Sequence, residues 1–216
     1  MAETPARGRF ITLEGGEGAG KSTQARRLAS WLVERGFDCL LTREPGGSPG
    51  AEQIRELLVT GEPGRWDAAT EALLMNAARR DHVVRTIRPA LAAGRWVICD
   101  RFLDSTLVYQ GYAGGVPTAT LQALIAAAVD GTRPDLTIVL DLAPDIGLER
   151  AHGGKNGTET RFERKGEAFH AAVRDGFRRI AEQEPGRCAI VDAGKPADAV
   201  AAAIAAAVSE RLSVRP

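Results

Sequence analysis

Apolar positions in this chain alternate between short continuous runs and longer stretches with helical spacing. Five short runs predict strands at 10–13, 38–42, 96–99, 136–140 and 188–191. Each run is apolar at successive positions, which is typical of strands covered on both faces, and the segments between them are long enough for right-handed crossovers. The pattern therefore predicts an α/β fold, a doubly wound five-stranded parallel sheet with helices on both sides.

The helix between the first two strands has the clearest periodicity. Its predicted span is 22–35, and Gly36 is expected to end it. The apolar stripe that should face the sheet consists of Ala25, Leu28, Ala29, Leu32 and Val33.

Length and composition set further limits. A chain of 216 residues suits one domain, 1–216, and a glycine-rich stretch leading into charged residues marks a candidate lid at 152–166 within it. Its 28 basic and 28 acidic residues cancel, so nothing favours nucleic-acid binding. The N-terminus lacks an apolar leader, and the alanine-rich stretch 199–208 is too short to span a bilayer. We therefore expect a cytoplasmic protein with no membrane partner.

The three cysteines agree with that location. Cys39, Cys99 and Cys188 each fall in an apolar run and have no C-x-x-C spacing. This arrangement predicts small buried thiols in a reducing compartment and does not predict a metal cluster.

A phosphate-binding loop follows the first predicted strand. Residues 15–22 read GGEGAGKS and fit the pattern G-x-x-x-x-G-K-[ST]. The glycines let backbone N–H groups converge on a phosphate, and the next helix presents its positive end to the same anion. Lys21 adds a charge, and Ser22 a hydroxyl for Mg²⁺. The predicted nucleoside triphosphate site comprises Gly15, Gly16, Glu17, Gly18, Ala19, Gly20, Lys21, Ser22 and Thr23.

A second polar cluster follows the third predicted strand. Asp100 ends that strand, where it can reach the Mg²⁺ shell or, alternatively, cap the next helix. The adjacent Arg101 can engage a second phosphate with a planar bidentate contact. The stretch 104–111 interleaves hydroxyls, an amide and a phenol, which suit a base and sugar, although Tyr109 could simply be packed in the core.

Taken together, these strings resemble the thymidylate kinase family over nearly the whole chain. The loop motif alone is shared by many nucleotide-binding proteins, whereas TREPGG at 42–47 and DRFLDSTLVYQG at 100–111 are specific to this family. Further matches are AAR at 77–79, RPDL at 133–136, LD at 140–141 and RFE at 161–163. The resemblance implies ATP-dependent phosphorylation of dTMP to dTDP for dTTP synthesis, with Mg²⁺, in a homodimer.

Residue roles are also carried over from the resemblance. Lys21 would follow the transferred γ-phosphoryl group, Arg101 would hold the acceptor phosphate, and Glu17 would meet the sugar 3′-hydroxyl. Arg79 would donate to thymine O4, although composition alone fits an exposed helix arginine equally well. The implied dTMP site comprises Glu17, Pro45, Met75, Arg79, Arg101, Ser105, Thr106, Tyr109 and Gln110.

Three of these positions carry more detailed expectations. Thr106 would address the N3 edge of the base, and Tyr109 would pack under the deoxyribose where a ribose 2′-hydroxyl would clash. Met75 stands where the family commonly has a phenylalanine stacked on thymine, so base binding is expected to be weaker.

The lid is expected to supply positive charge, because Gly18 leaves the phosphate loop without an arginine. Lys155 and Arg161 are the candidates, and Arg150 or Arg164 could share the role. Two alternatives remain open: a kinase for another small acceptor, and a non-enzymatic nucleotide-binding regulator. A guanine-reading switch would need an Asn-Lys-x-Asp string, and the sequence contains none.

Overall fold

The fold is built on a parallel sheet of five strands, which confirms the predicted α/β class. A computed structural model describes residues 7–62, 64–152 and 165–214. Its strands are β1 (Phe10–Gly15), β2 (Cys39–Arg43), β3 (Trp96–Asp100), β4 (Leu136–Asp141) and β5 (Cys188–Asp192). The strand order is β2-β3-β1-β4-β5, so β1 lies at the centre and the order reverses on either side of it.

Helices cover both faces of this sheet. They are α1 (Lys21–Val33), α2 (Pro49–Val59), α3 (Ala68–His82), α4 (Arg88–Ala92), α5 (Leu103–Thr106), α6 (Thr118–Val129), α7 (Pro144–His152), α8 (Glu167–Gln183) and α9 (Ala197–Leu212). Two π-helical segments, Val83–Ile87 and Leu107–Tyr112, continue α3 and α5. One core layer lies under α1 and α9, and the opposite face packs against α3, α4, α6 and α8.

The strands extend past the apolar runs that predict them. Every strand continues one or two residues past its apolar run at the carboxyl end, onto Glu14 and Gly15 in β1 and, as the sequence indicated, onto Asp100 in β3, because backbone pairing does not require an apolar side chain. The central strands are almost wholly buried, but the expectation of two covered faces is wrong for the edge strands. Leu41 in β2 and Ile190 in β5 are exposed.

The first helix differs from its prediction at its C-terminal end. Ala25, Leu28 and Leu32 are buried under the sheet, whereas Val33 is 57% exposed because it lies in the last turn, beyond the edge of the core. The helix ends at Val33, and Gly36 takes a φ of 84° in the turn that follows.

Other expectations about burial are met in part. Cys99 and Cys188 are buried free thiols, but Cys39 is only half-buried because it lies on the edge strand β2. Leu121, Ile125 and Val129 of α6 belong to the core. Among the described residues, no helix combines the length and apolar character that crossing a membrane would need.

Parallel pairing brings the carboxyl ends of the strands to one edge of the sheet. Leu13 of β1 pairs with Asp100 of β3, and Gly15 pairs with Leu140 of β4. The loops that carry both predicted motifs therefore leave the sheet side by side.

Candidate active site

The phosphate-binding loop connects β1 to α1 and packs tightly against the end of β4 and the first turn of α7. Gly15 has a φ of 141° and Gly18 a φ of 66°, which side chains rarely adopt. A Cβ at Gly18 would lie 1.9 Å from the carbonyl oxygen of Gly147. The loop can therefore keep this path only with glycine at these positions, and it leads into an α1 N-terminus that no side chain caps. Such an end is a suitable anion site.

Lys21 and Ser22 begin α1 and face the cleft. The Lys21 side chain is buried, and its Nζ donates to the carbonyl oxygen of Gly16 at 2.6 Å. Burial, reinforced by the positive charge of Arg101, lowers the pKa of Lys21 to about 8. The hydroxyl of Ser22 donates to Asp100 Oδ2 at the end of β3. The side chains predicted as metal ligands are thus in direct contact.

Arg101 connects the phosphate-binding loop to the polar cluster that follows β3. Its backbone takes a φ of 67°, unusual for a residue other than glycine, and this conformation turns the guanidinium toward the phosphate loop. Nη1 donates to the carbonyl oxygen of Gly15 at 3.1 Å, and Nη2 donates to Glu17 Oε1 at 3.0 Å. The guanidinium also lies over the ring of Tyr109, with its carbon 4.9 Å from the ring centroid.

Glu17 is held by two donors at a single oxygen. Its Oε1 accepts from Arg101 and, at 2.9 Å, from the hydroxyl of Tyr109. Burial alone would raise the pKa of Glu17, but the charges of Arg101 and Lys21 and the Tyr109 hydrogen bond outweigh burial and lower it to about 2. The carboxylate is therefore ionised at neutral pH, with Oε2 on its other side.

Arg79 is buried inside the protein and is not the exposed helix arginine that composition alone would allow. Its side chain is 2% exposed. Nε donates to Glu44 Oε2 at 2.8 Å, Nη1 to Asn76 Oδ1 at 2.9 Å, and Nη2 to the carbonyl oxygen of Phe102 at 3.0 Å. Thr106 contributes a buried hydroxyl that has no hydrogen-bond partner among the described residues.

The remaining predicted dTMP residues have partners of their own. Pro45 follows a cis peptide bond after Glu44, and its carbonyl oxygen accepts from Arg55 Nη1 at 2.6 Å. Gln110 Nε2 donates to the buried Glu71 at 3.2 Å. These contacts hold Pro45 and Gln110 in the wall of the cleft described below.

A single cleft of about 1240 Å³ brings most of the predicted residues together. Gly15, Gly16 and Ala19 do not line it and contribute loop backbone instead. The predicted residues that do line it are Glu17, Gly18, Gly20, Lys21, Ser22, Thr23, Pro45, Met75, Arg79, Asp100, Arg101, Ser105, Thr106, Tyr109 and Gln110.

Most of the candidate lid 152–166 lies outside the residues that the structure describes. Lys155, Arg161 and Arg164 also lie outside them. Arg150, on α7, does line the cleft, and its Nη1 donates to the carbonyl oxygen of Ala193 after β5 at 3.0 Å.

Sequence reasoning gave no role to three residues at the site. Glu14 is a fully buried carboxylate that accepts from the backbone N–H of Phe102 and the hydroxyl of Ser105. Arg55 lines the cleft, and His82 is buried against Glu44. A charged residue continuing an apolar strand was a usable signal for Glu14, whereas the other two carry none in the sequence.

Known proteins resemble this chain throughout its length. A family model described as thymidylate kinase matches residues 13–204. A thymidylate kinase of Caulobacter vibrioides is 55% identical over 207 residues, covering 96% of this chain and 99% of the relative. One of Rhizorhabdus wittichii is 54% identical over 201 residues, covering 92% and 96%.

Structural comparison agrees with the sequence matches. The crystal structure of thymidylate kinase from Ehrlichia chaffeensis is similar with a TM-score of 0.75 and 33% identity, covering 94% of this chain and 99% of that one. Family model, relatives and fold point the same way. The chain belongs to the thymidylate kinase family and is a phosphotransferase that phosphorylates dTMP.

Proposed function

We propose that the cleft is the site at which this chain transfers the γ-phosphoryl group of ATP to dTMP. The observation that carries the proposal is Arg101, a residue for a second phosphate, whose guanidinium contacts both the backbone and Glu17 of the phosphate loop. Donor and acceptor phosphates would meet at this contact. Phosphoryl transfer asks the protein mainly for positioning and charge stabilisation, and a cleft lined by both polar clusters supplies both.

On the donor side, the loop amides would hold the β-phosphate, and Lys21 would follow the γ-phosphoryl group. Lys21 would exchange its present carbonyl partner, Gly16, for phosphate oxygens. Ser22 and Asp100 offer adjacent oxygen donors, which fit Mg²⁺ because this ion is usually held by one or two protein oxygens together with substrate phosphates. Bound there, Mg²⁺ would neutralise charge on the phosphates.

On the acceptor side, Arg101 would hold the dTMP phosphate in line with the γ-phosphorus. Glu17 would accept from the sugar 3′-hydroxyl through its remaining lone pairs, and the Tyr109 ring would pack under the deoxyribose. At the base, Arg79 would donate to O4 and Thr106 would pair with N3. The hydroxyl of Thr106 is buried and has no partner in the described part of the chain, which supports this role, because such a group is costly unless a ligand satisfies it.

The other acceptor residues would shape the pocket. Met75 would lie against the thymine ring, and Pro45 would close the turn beside it. Ser105 and Gln110 would hold the wall, since the first bonds Glu14 and the second bonds Glu71.

We also propose that Lys155 and Arg161 close over the phosphates from the lid, a role that rests on the resemblance alone. Arg161→Ala is expected to lower kcat far more than it raises the KM for dTMP, because the contact would form mainly in the transition state. Steady-state kinetics of this variant beside Arg150→Ala provide the test. An unchanged kcat in Arg161→Ala would remove Arg161 from the mechanism.

The proposal also covers domain organisation, location, oligomeric state and partners. The chain would act as a single kinase domain, 1–216, in the cytoplasm, as a homodimer that binds ATP and dTMP and no nucleic acid or membrane. Leu73 of α3, which is 55% exposed, and Val84 of the following π-helical segment support association, since both are large apolar residues at the surface.

The test is a steady-state assay of ADP formation with Mg-ATP and a panel of acceptors. The panel contains dTMP, dUMP, UMP, CMP, AMP, GMP and shikimate. The proposal predicts a strong preference for dTMP in kcat/KM. Preference for another acceptor would overturn the base-reading roles, and ATP binding without acceptor-dependent turnover would favour a regulator.

A further inference from the structure

The base-reading arginine is one end of a buried polar chain that runs away from the cleft. From Arg79 the chain passes through Glu44 to His82 and ends at Thr42. The side chains of Arg79, Glu44 and His82 are 2%, 4% and 0% exposed. Burial at this level makes each unpaired group costly, so the pattern of partners is strongly determined.

His82 joins the chain through both ring nitrogens. Nδ1 lies 3.0 Å from Glu44 Oε1, and Nε2 lies 2.8 Å from the Thr42 hydroxyl. Because Glu44 is paired with Arg79, its Oε1 acts as an acceptor and His82 Nδ1–H donates to it, while Nε2 is paired with the Thr42 hydroxyl. Gly47 packs directly on this pair, since a Cβ there would lie 2.3 Å from His82 Nε2 and 2.5 Å from Thr42 Oγ1.

This arrangement limits how Glu44 can pair with Arg79. A carboxylate beside a guanidinium favours a fork in which both oxygens accept from two nitrogens. Here Oε1 is taken by His82, so only Oε2 pairs with Arg79, at Nε. Nη1 and Nη2 each keep one N–H beyond those given to Asn76 and Phe102, since a guanidinium carries five.

We propose that His82 is a positioning residue for base selection in this enzyme. By occupying Glu44 Oε1, it keeps the Arg79 guanidinium turned so that the two remaining N–H groups stay available to the acceptor base. This inference rests on the proposed function, because it takes the Arg79 contact with thymine O4 as given. Without the His82 donor, Glu44 would rotate into the fork, and the guanidinium would turn away from the base.

Two substitutions at His82 separate positioning from simple filling of space. His82→Asn retains a donor near the Nδ1 position, whereas His82→Gln places its amide near Nε2 and leaves Glu44 Oε1 without one. Arg80→Gln is the matched control on the same helix, because Arg80 is exposed and its ion pair among the described residues is with Asp130 at the surface. Thermal unfolding of each variant checks that the protein is folded.

The experiment measures KM for dTMP, KM for ATP, kcat, and the inhibition constant of dCMP, which presents an amino group where dTMP presents O4. Losing a donor to a buried carboxylate is expected to raise the KM for dTMP roughly tenfold in His82→Gln. The kcat and the KM for ATP should stay near the parent values, and the ratio of dCMP to dTMP affinity should rise. His82→Asn and Arg80→Gln should resemble the parent.

A double-substitution cycle with His82→Gln and Arg79→Lys distinguishes positioning through Arg79 from a purely structural role of His82. Arg79→Lys keeps the charge beside Glu44 and removes the fork. Positioning through Arg79 predicts that His82→Gln adds almost nothing to the KM for dTMP in the Arg79→Lys background. If His82→Gln gives little folded protein, Thr42→Val is compared with Thr42→Ser instead. Thr42→Val removes the hydroxyl partner of His82 Nε2, so it perturbs the same series of polar contacts at its other end.

The possible outcomes distinguish the base contact of Arg79 from the positioning role of His82. If Arg79→Lys leaves the KM for dTMP unchanged, the assigned base contact is wrong, and the role of His82 is overturned with it. If Arg79→Lys raises that KM while His82→Gln does not, only the positioning role is overturned. Equal effects of His82→Gln in both backgrounds would overturn it as well, since they would show action independent of Arg79.

Discussion

Removing the Tyr109 hydroxyl tests the contact between the phosphate loop and the acceptor side of the cleft. Tyr109→Phe keeps the ring, which packs against Phe169 and Phe177 with centroids 6.0 and 6.2 Å away and carries Arg101 on its face. The substitution removes the hydroxyl and, with it, the 2.9 Å hydrogen bond to Glu17. Any change can therefore be assigned to the hydroxyl and not to the ring.

The expected magnitude follows from the charge of the acceptor and from its second partner. Hydrogen bonds to charged groups contribute about 1.5–3 kcal/mol to stability, and the lower end applies because Glu17 Oε1 keeps Arg101. For a chain of 216 residues, about 1.5 kcal/mol corresponds to a fall in Tm of about 3–6 °C. If about 1 kcal/mol of that is also needed to orient Glu17 toward dTMP, the KM for dTMP rises about fivefold.

The assay combines calorimetric unfolding with steady-state kinetics. Tyr112→Phe is the matched control, because Tyr112 is the chain's other tyrosine, lies in the same π-helical segment and is 37% exposed. It should unfold and react like the parent. If Tyr109→Phe matched this control in both Tm and KM, the idea that the hydroxyl orients Glu17 would be refuted.

Three further predictions concern the base pocket, the buried carboxylate and the proposed metal ligand Asp100. Met75→Phe is expected to lower the KM for dTMP several-fold, because stacking a base on an aromatic ring contributes ~1–3 kcal/mol, and an unchanged or higher KM would count against thymine lying there. Burial, with Asp104 adding to it, raises the pKa of Glu14 to about 7, so the folded state keeps a proton that the unfolded state loses near pH 4.5. The free energy of unfolding should therefore fall as pH rises from about 4.5 to 7. Urea unfolding of Glu14→Gln should not show that fall. If the free energies of the parent and the variant changed in parallel with pH, Glu14 would not titrate in this range. Asp100→Asn should raise the Mg²⁺ concentration needed for half-maximal rate while leaving the KM for dTMP nearly unchanged, and an unaltered Mg²⁺ requirement would remove Asp100 from the metal shell.

Local patterns predicted the sheet because each strand carries a continuous apolar run, which the three central strands bury almost completely. The same reasoning located the loop and Asp100, since both follow directly from a strand end. It did not show that pairing in β1 continues onto Glu14 and Gly15, nor that Leu41 and Ile190 lie on edge strands. Edge position depends on strand order, and strand order depends on contacts between distant parts of the chain.

The buried polar contacts were harder to predict from the sequence, because they too depend on contacts between distant parts of the chain. Glu14 bonds Phe102, 88 positions away, and His82 bonds Glu44, 38 positions away. Only the fold brings such groups together, and a carboxylate or histidine alone does not indicate its partner. Arg79 illustrates the limit: composition fitted an exposed residue, the family strings indicated a site residue, and packing made it a buried one.

The most direct test of the central claim is to follow the phosphoryl group itself. Equimolar ATP and dTMP with Mg²⁺ are mixed with the enzyme and observed by ³¹P NMR over time. The account predicts new resonances from dTDP and ADP in equal amounts, with inorganic phosphate absent and no reaction when dTMP is omitted. Release of inorganic phosphate without dTDP would contradict it, because the cleft would then pass the phosphoryl group to water and not to the nucleotide.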